Sequence, residues 1–196
     1  ELFRQENVPL QTEEARLEQQ YQEVSGAQTV VFDGKERTLQ QLAPYAERTD
    51  RTIRQAAWEA DANRRLEDKN RLDDIFDQLV GFRDRIARNA NCADFREYSF
   101  RAKLRFDYTP KDCLAFHDAI ERTAVPAMRE LQRERKASLG LEVLRPWDMS
   151  VDIKGRPPLK PFESVDELCE KGSRVFRRVE PELGQAFDAM REKGYL

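Results

Sequence analysis

Leu10, Leu17, Tyr21 and Val24 recur at spacings of seven, four and three, the period of one face of a helix. Thr12 followed by Glu13 and Glu14 predicts an N-cap with an acidic first turn, so a short helix is expected to end near Ser25-Gly26. Next, Thr29-Val30-Val31-Phe32 and Lys35-Glu36-Arg37-Thr38 flank an Asp33-Gly34 pair, the signature of a tight β-hairpin. A lone two-stranded ribbon is marginal in water. It must lean on helices or on a strand missing from this chain.

From Thr49 to Asn91 there is no Pro and no Gly except Gly81, which permits one helix of about 40 residues and about 60 Å. Its second half carries a well-formed apolar stripe of Leu72, Ile75, Phe76, Leu79, Phe82 and Ile86. In contrast, residues 63–70 offer only Leu66 and read as a solvated face or, less commonly for such a charged run, as the polar wall of a cavity. Asp94 with Glu97 predicts a short capped helix to about Leu104, and Thr109-Pro110-Lys111-Asp112 opens a longer one. The stripe of that longer helix (Cys113, Phe116, Ile120, Ala124, Ala127, Met128 and Leu131) runs through Pro126, expected to kink it before it ends near Gly140.

Pro146, Pro157, Pro158 and Pro161 then predict extended, irregular chain. Ser164-x-x-Glu167 is a capping box for a helix through Val179, and Glu180-Pro181-Glu182 starts the last helix. The fold class expected is all-α, with long antiparallel helices and a small β-hairpin. Four regions follow: 1–48, a short helix, hairpin and connecting helix; 49–140, a long-helix bundle; 141–162, an extended Pro-rich connector; and 163–196, a C-terminal helix pair.

Composition sharpens this picture. Of 196 residues, 39% are hydrophobic and 36% charged, with only 8 Gly and 9 Pro, which favours amphipathic helices and excludes collagen-like and low-complexity classes. Lys and Arg number 34 against 37 Asp and Glu, a net charge of −3 with the signs interleaved. No basic field gathers phosphate backbones, so nucleic acid is not expected as a partner. No apolar run approaches the roughly 20 residues of a spanning helix, and Glu1-Leu2-Phe3-Arg4-Gln5-Glu6 is unlike a signal peptide. No membrane partner is expected. Cys92, Cys113 and Cys169 are odd in number and widely spaced, which points to a reducing compartment rather than a disulfide framework. A start without Met also suggests a piece of something longer.

Little in the chain carries chemistry. His117 is the only histidine, which removes any two-histidine metal site. Cys113, His117 and Glu121 lie at successive i, i+4 steps, but the outer two are about 12 Å apart along the axis and cannot meet on one ion. The plainer reading puts Cys113 in the core and pairs His117 with Glu121 or Asp118. Asp73, Asp74 and Asp77 cluster beside Arg71 and Arg83 and read as surface ion pairs. No serine stands in G-x-S-x-G, and no glycine-rich phosphate loop exists. Pro158-x-x-Pro161 reads as a stiff connector. Arg129, Arg133, Arg135 and Lys136, interrupted by Glu130 and Glu134, read as a solvated face, and Trp58 and Trp147 as packing anchors. No catalytic, cofactor-binding or metal-ligating residue is therefore expected here.

Several strings nevertheless recur together: Thr38-Leu39-Gln40-Gln41-Leu42-Ala43-Pro44-Tyr45, Arg105-Phe106-Asp107-Tyr108-Thr109-Pro110, Cys113-Leu114-Ala115-Phe116-His117-Asp118-Ala119-Ile120-Glu121 and Leu144-Arg145-Pro146-Trp147-Asp148. In this order, and through to Pro181-Glu182-Leu183-Gly184, the chain resembles the oligoendopeptidase F family of thimet-type zinc peptidases. The resemblance implies a cytoplasmic, mostly helical metallopeptidase that cuts short peptides in a deep channel, its zinc held by H-E-x-x-H and a downstream glutamate. With one histidine outside that motif, no family catalytic residue falls on any position of this sequence.

The expectation is a scaffold and channel-wall segment of such an enzyme, binding no zinc and inactive alone, with oligopeptides as substrate of the complete protein. Parts of Leu72 to Ile86 and Cys113 to Leu131 would then lack their partner helices, exposing apolar surface or driving self-association. The alternative is a stand-alone helical interaction module that holds a partner in a groove or through the Pro-rich segment.

Overall fold

The computed structural model describes residues 2–195. Its elements are α1 (Asn7–Gly26), β1 (Thr29–Phe32), β2 (Lys35–Thr38), a 3-10 helix (Leu39–Glu47), α2 (Arg51–Glu67), α3 (Lys69–Asn89), α4 (Phe95–Ala102), α5 (Pro110–Ser138), a 3-10 turn (Pro146–Asp148), α6 (Val165–Val179) and α7 (Pro181–Glu192). The fold is all-α with one antiparallel hairpin, in the register Thr29↔Thr38 to Phe32↔Lys35. Two compact units result, Glu1–Arg156 and Pro157–Leu196. None of the helices described is long and apolar enough to cross a membrane.

In the first unit, α1 and α3 run antiparallel: Asn7 meets the end of α3, and Gln28, just past α1, meets its beginning. Leu17 and Val24 pack on Ile75 and Leu79, flanked by Leu72 and Phe82. Arg83 of α3 reaches across to Glu14 and Glu18, each at 2.7 Å.

Two expectations about these helices are corrected. α1 begins at Asn7, not at Thr12, whose hydroxyl donates back to the Val8 carbonyl from inside the helix. The start is set by tertiary contact. The buried Asn7 side chain donates to the Ile86 carbonyl (3.0 Å) and accepts from Asn89 (2.8 Å), stitching the first turn of α1 to the last turns of α3.

Secondly, the 40-residue helix is interrupted at Asp68, with φ −92° and ψ 3°. Gln28 donates to its carboxylate at 2.9 Å and Arg64 at 2.7 Å. These bonds hold Asp68 below the usual carboxylate pKa, Gln28 contributing most and Arg64 next. The break falls in the stretch without an apolar stripe, where Leu66 is exposed. No packing there enforces continuity.

The hairpin turn suits its sequence, since Asp33 and Gly34 both have positive φ (55° and 70°). The ribbon leans on helices: Phe32 meets Tyr45 edge to face at 4.9 Å, and Leu39, Leu42 and Ala57 are buried between the 3-10 helix and α2. Asp94 caps α4 by accepting from the Glu97 amide, and Ala87, Ala90 and Cys92 form a small core there with Leu2, Phe95 and Tyr98.

α5 opens as expected on Thr109, which accepts from the Asp112 amide while Asp112 accepts from the Thr109 amide. It continues through Pro126 as a 29-residue helix, about 44 Å long. None of its residues is buried. Phe116 is 64% exposed and Leu131 57%.

The second unit is a helical hairpin. Phe176 and Phe187 meet at 5.0 Å between ring centroids. α7 presses so close to α6 that a Cβ on Gly184 would lie 2.1 Å from Arg177 Cγ and 3.1 Å from its Cα. Val165, Val175 and Val179 of α6 stay exposed.

Candidate functional site

Among the described residues of the first unit, the most enclosed charge is Asp148, with 0% exposure. Arg51, at the first position of α2, grips it with a bidentate fork, Nε to Oδ1 and Nη2 to Oδ2, both 2.9 Å. Arg54, one turn later and only 3% exposed, adds Nη2 to Oδ1 at 3.2 Å. The Arg145 amide donates to Oδ2 at 2.9 Å. Each carboxylate oxygen thus accepts two hydrogen bonds.

Arg54 uses four of its five donors: besides the bond to Asp148, Nε donates to the Trp147 carbonyl, and Nη1 to the carbonyls of Arg48 and Thr49. From α5, Arg135 Nη1 reaches the carbonyls of Asp148 (3.2 Å) and Val151 (2.7 Å). Asp148 therefore fastens the turn after α5 to the start of α2, and Arg135 fastens α5 to the same turn.

This geometry decides what Asp148 can do. Burial pushes its pKa up, but the hydrogen bonds from Arg51, the Arg145 amide and Arg54 together outweigh burial and hold it below the usual range. Arg51 is raised in turn, chiefly by its bond to Asp148. An ionised carboxylate with its lone pairs filled is a clamp. It has no capacity left to serve as a general base.

Beside the clamp lies a cavity of about 250 Å³, lined among others by Leu39, Leu42, Ala57, Trp58, Pro146 and Trp147. The two indoles meet at 5.4 Å, and Arg51 stacks over Trp147 at 5.7 Å. Trp147 Nε1 is buried without a hydrogen-bond partner. Trp147 packs against α2 through Trp58 and Arg51, whereas Trp58, expected to be a packing anchor, is 42% exposed.

The residues singled out from sequence are scattered. His117 is exposed on α5, and no ion pair links it to Glu121 or Asp118, so the pairing expected of it is absent. Cys113 is half-buried rather than in a core. Asp73 pairs with Lys69, not with Arg71 or Arg83, because Lys69 stands one turn before it on α3. Among the described residues, no three His, Cys, Asp or Glu come together in a way that could hold a metal ion.

Sequence reasoning missed the Asp148 node. Arg135 reads from sequence as part of a solvated patch, and nothing in the sequence pattern singles out Arg51 or Arg54. The only local signal was Arg145-x-x-Asp148, a carboxylate set to cap its own turn.

The model of peptidase family M3 matches residues 44–176, more than half of the chain. Among solved structures, one reported as an oligoendopeptidase F from Bacillus anthracis strain Ames is 27% identical, with a TM-score of 0.88 over 96% of this chain and 34% of its own. Another reported as oligoendopeptidase F is also 27% identical, with a TM-score of 0.90 over 97% of this chain and 34% of its own. PZ peptidase A, solved with an inhibitor, is 28% identical, with a TM-score of 0.90 over 98% of this chain and 34% of its own. The chain thus spans about a third of the length of these relatives. A search of curated proteins finds no match.

Proposed function

The chain belongs to peptidase family M3, and from that membership we propose that it forms the helical scaffold and channel wall of a zinc-dependent oligopeptidase whose substrates are short peptides. The observation that carries this reading is the overlay: nearly all of this chain superposes on oligopeptidases, yet on only 34% of their length. Its role is then shape. The clamp at Asp148 fixes where α5 leaves the body of the first unit, and with it one wall of the enzyme.

Among the described residues no further ligands cluster with the single imidazole of His117, a donor set that does not suit a catalytic zinc. No chemical step on a metal is assigned to these residues. We place the complete enzyme in a reducing compartment, the cytoplasm, in keeping with the three free cysteines.

Incubating the purified chain with an internally quenched peptide, with and without added zinc, tests the proposal. No turnover is expected in either case. Zinc-dependent turnover that disappears in His117→Ala would show that this segment carries chemistry of its own.

A further inference from the structure

α5 presents an apolar stripe that nothing in the first unit covers. Cys113, Phe116, Ile120, Ala124, Ala127 and Leu131 repeat every three or four residues over five turns, and Phe116, Ile120 and Leu131 are exposed. At the far end Met149 and Ile153 join Met128 and Leu131 around a shallow cavity, extending the surface beyond the helix. Scattered exposed apolar residues mean little, but a continuous stripe along a 29-residue helix marks a contact surface.

The charges bordering the stripe say what it contacts. At about 100° per residue, Asp112, Glu130 and Glu134 fall along one border and Glu121 along the other. Lys111, Arg122, Arg129 and Arg133 fall on the opposite side of the helix. Glu121 and Glu134 have no ion pair, Glu130 is paired with Arg133 at 2.5 Å, and Arg135, on Glu121's border, keeps its charge while donating to the carbonyls of Asp148 and Val151. An apolar surface is left whose rim acids without an ion pair are Glu121 on one border and Asp112 and Glu134 on the other.

A second copy fits this rim poorly. In a two-fold antiparallel pairing each border meets itself, which sets Asp112 against Glu130 and Glu134 and Glu121 against its own counterpart. Like charges then face each other on both sides. A helix with an apolar face bordered by Lys or Arg fits instead, and two thirds of each related peptidase lies outside the region this chain matches.

We propose that the acid-rimmed face of α5 is a docking surface for a basic-rimmed apolar helix of the part of the M3 fold that lies outside this chain. This rests on the scaffold reading above and names the surface through which the scaffold engages its partner. The stripe would supply affinity and the rim orientation.

The probe is a fluorescein-labelled amphipathic helical peptide of about 20 residues, with leucines on one face and lysines along both borders, compared with the same peptide bearing glutamates there. Fluorescence anisotropy should show the lysine peptide binding the full chain at least tenfold tighter than the glutamate peptide, with the gap closing as salt rises. Ile120→Asp should abolish binding. The triple change Glu121→Lys, Glu130→Lys, Glu134→Lys should reverse the preference. All four positions are exposed, so circular dichroism should show unchanged helix content, and deuterium exchange should slow over residues 113–131 only with the lysine peptide. Equal binding of the two peptides, or lysine-peptide binding that survives Ile120→Asp, would overturn the proposal. So would a sedimenting dimer dissolved by Ile120→Asp, which would assign the face to a second copy. Peptide turnover is read separately, so failure of the scaffold reading leaves the rim preference intact, and the converse holds.

Discussion

Replacing Asp148 with Asn keeps the shape of the buried side chain and removes its charge. Its partners differ in what they lose. Arg51 is 40% exposed and can turn to water, so its share of the pair counts for little. Arg54, with 4% of its side chain exposed, cannot. Its guanidinium would stay enclosed with its carbonyl contacts but without a counter-charge, a loss typically costing about 3–5 kcal/mol. Urea unfolding of Asp148→Asn against the parent chain measures this cost.

In a double-mutant cycle, Arg54→Met should cost less in the Asp148→Asn background than in the parent chain, since the carbonyls of Arg48, Thr49 and Trp147 lose their donor in both but a buried charge pair is broken only in the parent. The pH dependence follows from the lowered folded-state pKa. Asp148 contributes stability that is complete above the unfolded carboxylate value of about 3.9 and is lost as pH falls through the lower folded value. The parent should therefore lose more stability on acidification than Asp148→Asn. A loss under about 1 kcal/mol for Asp148→Asn, or identical acid profiles, would refute the view of Asp148 as a buried clamp.

Two further outcomes follow from backbone geometry. Gly184→Ala puts a Cβ against Arg177, whose side chain can partly yield but whose Cα cannot, so the α6–α7 hairpin should lose about 1–3 kcal/mol in thermal melts; an unchanged melt would show that the two helices slide apart freely. Leu104 sits at φ 54°, past the end of α4, with its side chain 74% exposed, so Leu104→Gly should raise the unfolding midpoint by the equivalent of about 1 kcal/mol, whereas a lower midpoint would mean that the leucine side chain holds something in place.

Much of the architecture was legible from local chemistry. Thr109-Pro110-Lys111-Asp112, Asp94 with Glu97 and Ser164 with Glu167 each mark a helix start by bonds that span three residues, and Asp33-Gly34 marks a turn by a backbone preference that needs no neighbours. Such signals survive because both partners are close in sequence. The stripes of α3 and α5 were equally plain as periodicities.

What periodicity could not say was which stripe would be covered. Leu79 is buried against α1 while Phe116, on an equally good stripe, is exposed, a matter of which helices fold alongside. The start of α1 and the break at Asp68 were likewise settled by distant side chains, Asn7 reaching Ile86 and Gln28 reaching Asp68. The Asp148 node was the least legible of all, because Arg51 and Arg54 lie 97 and 94 residues from it along the chain. A charged residue on a helix reads as solvated until folding encloses it. Only tertiary structure reveals that Asp148 and Arg54 give up water for each other, whereas local hydrogen bonds and hydrophobic period were enough to specify the helices that bring them together.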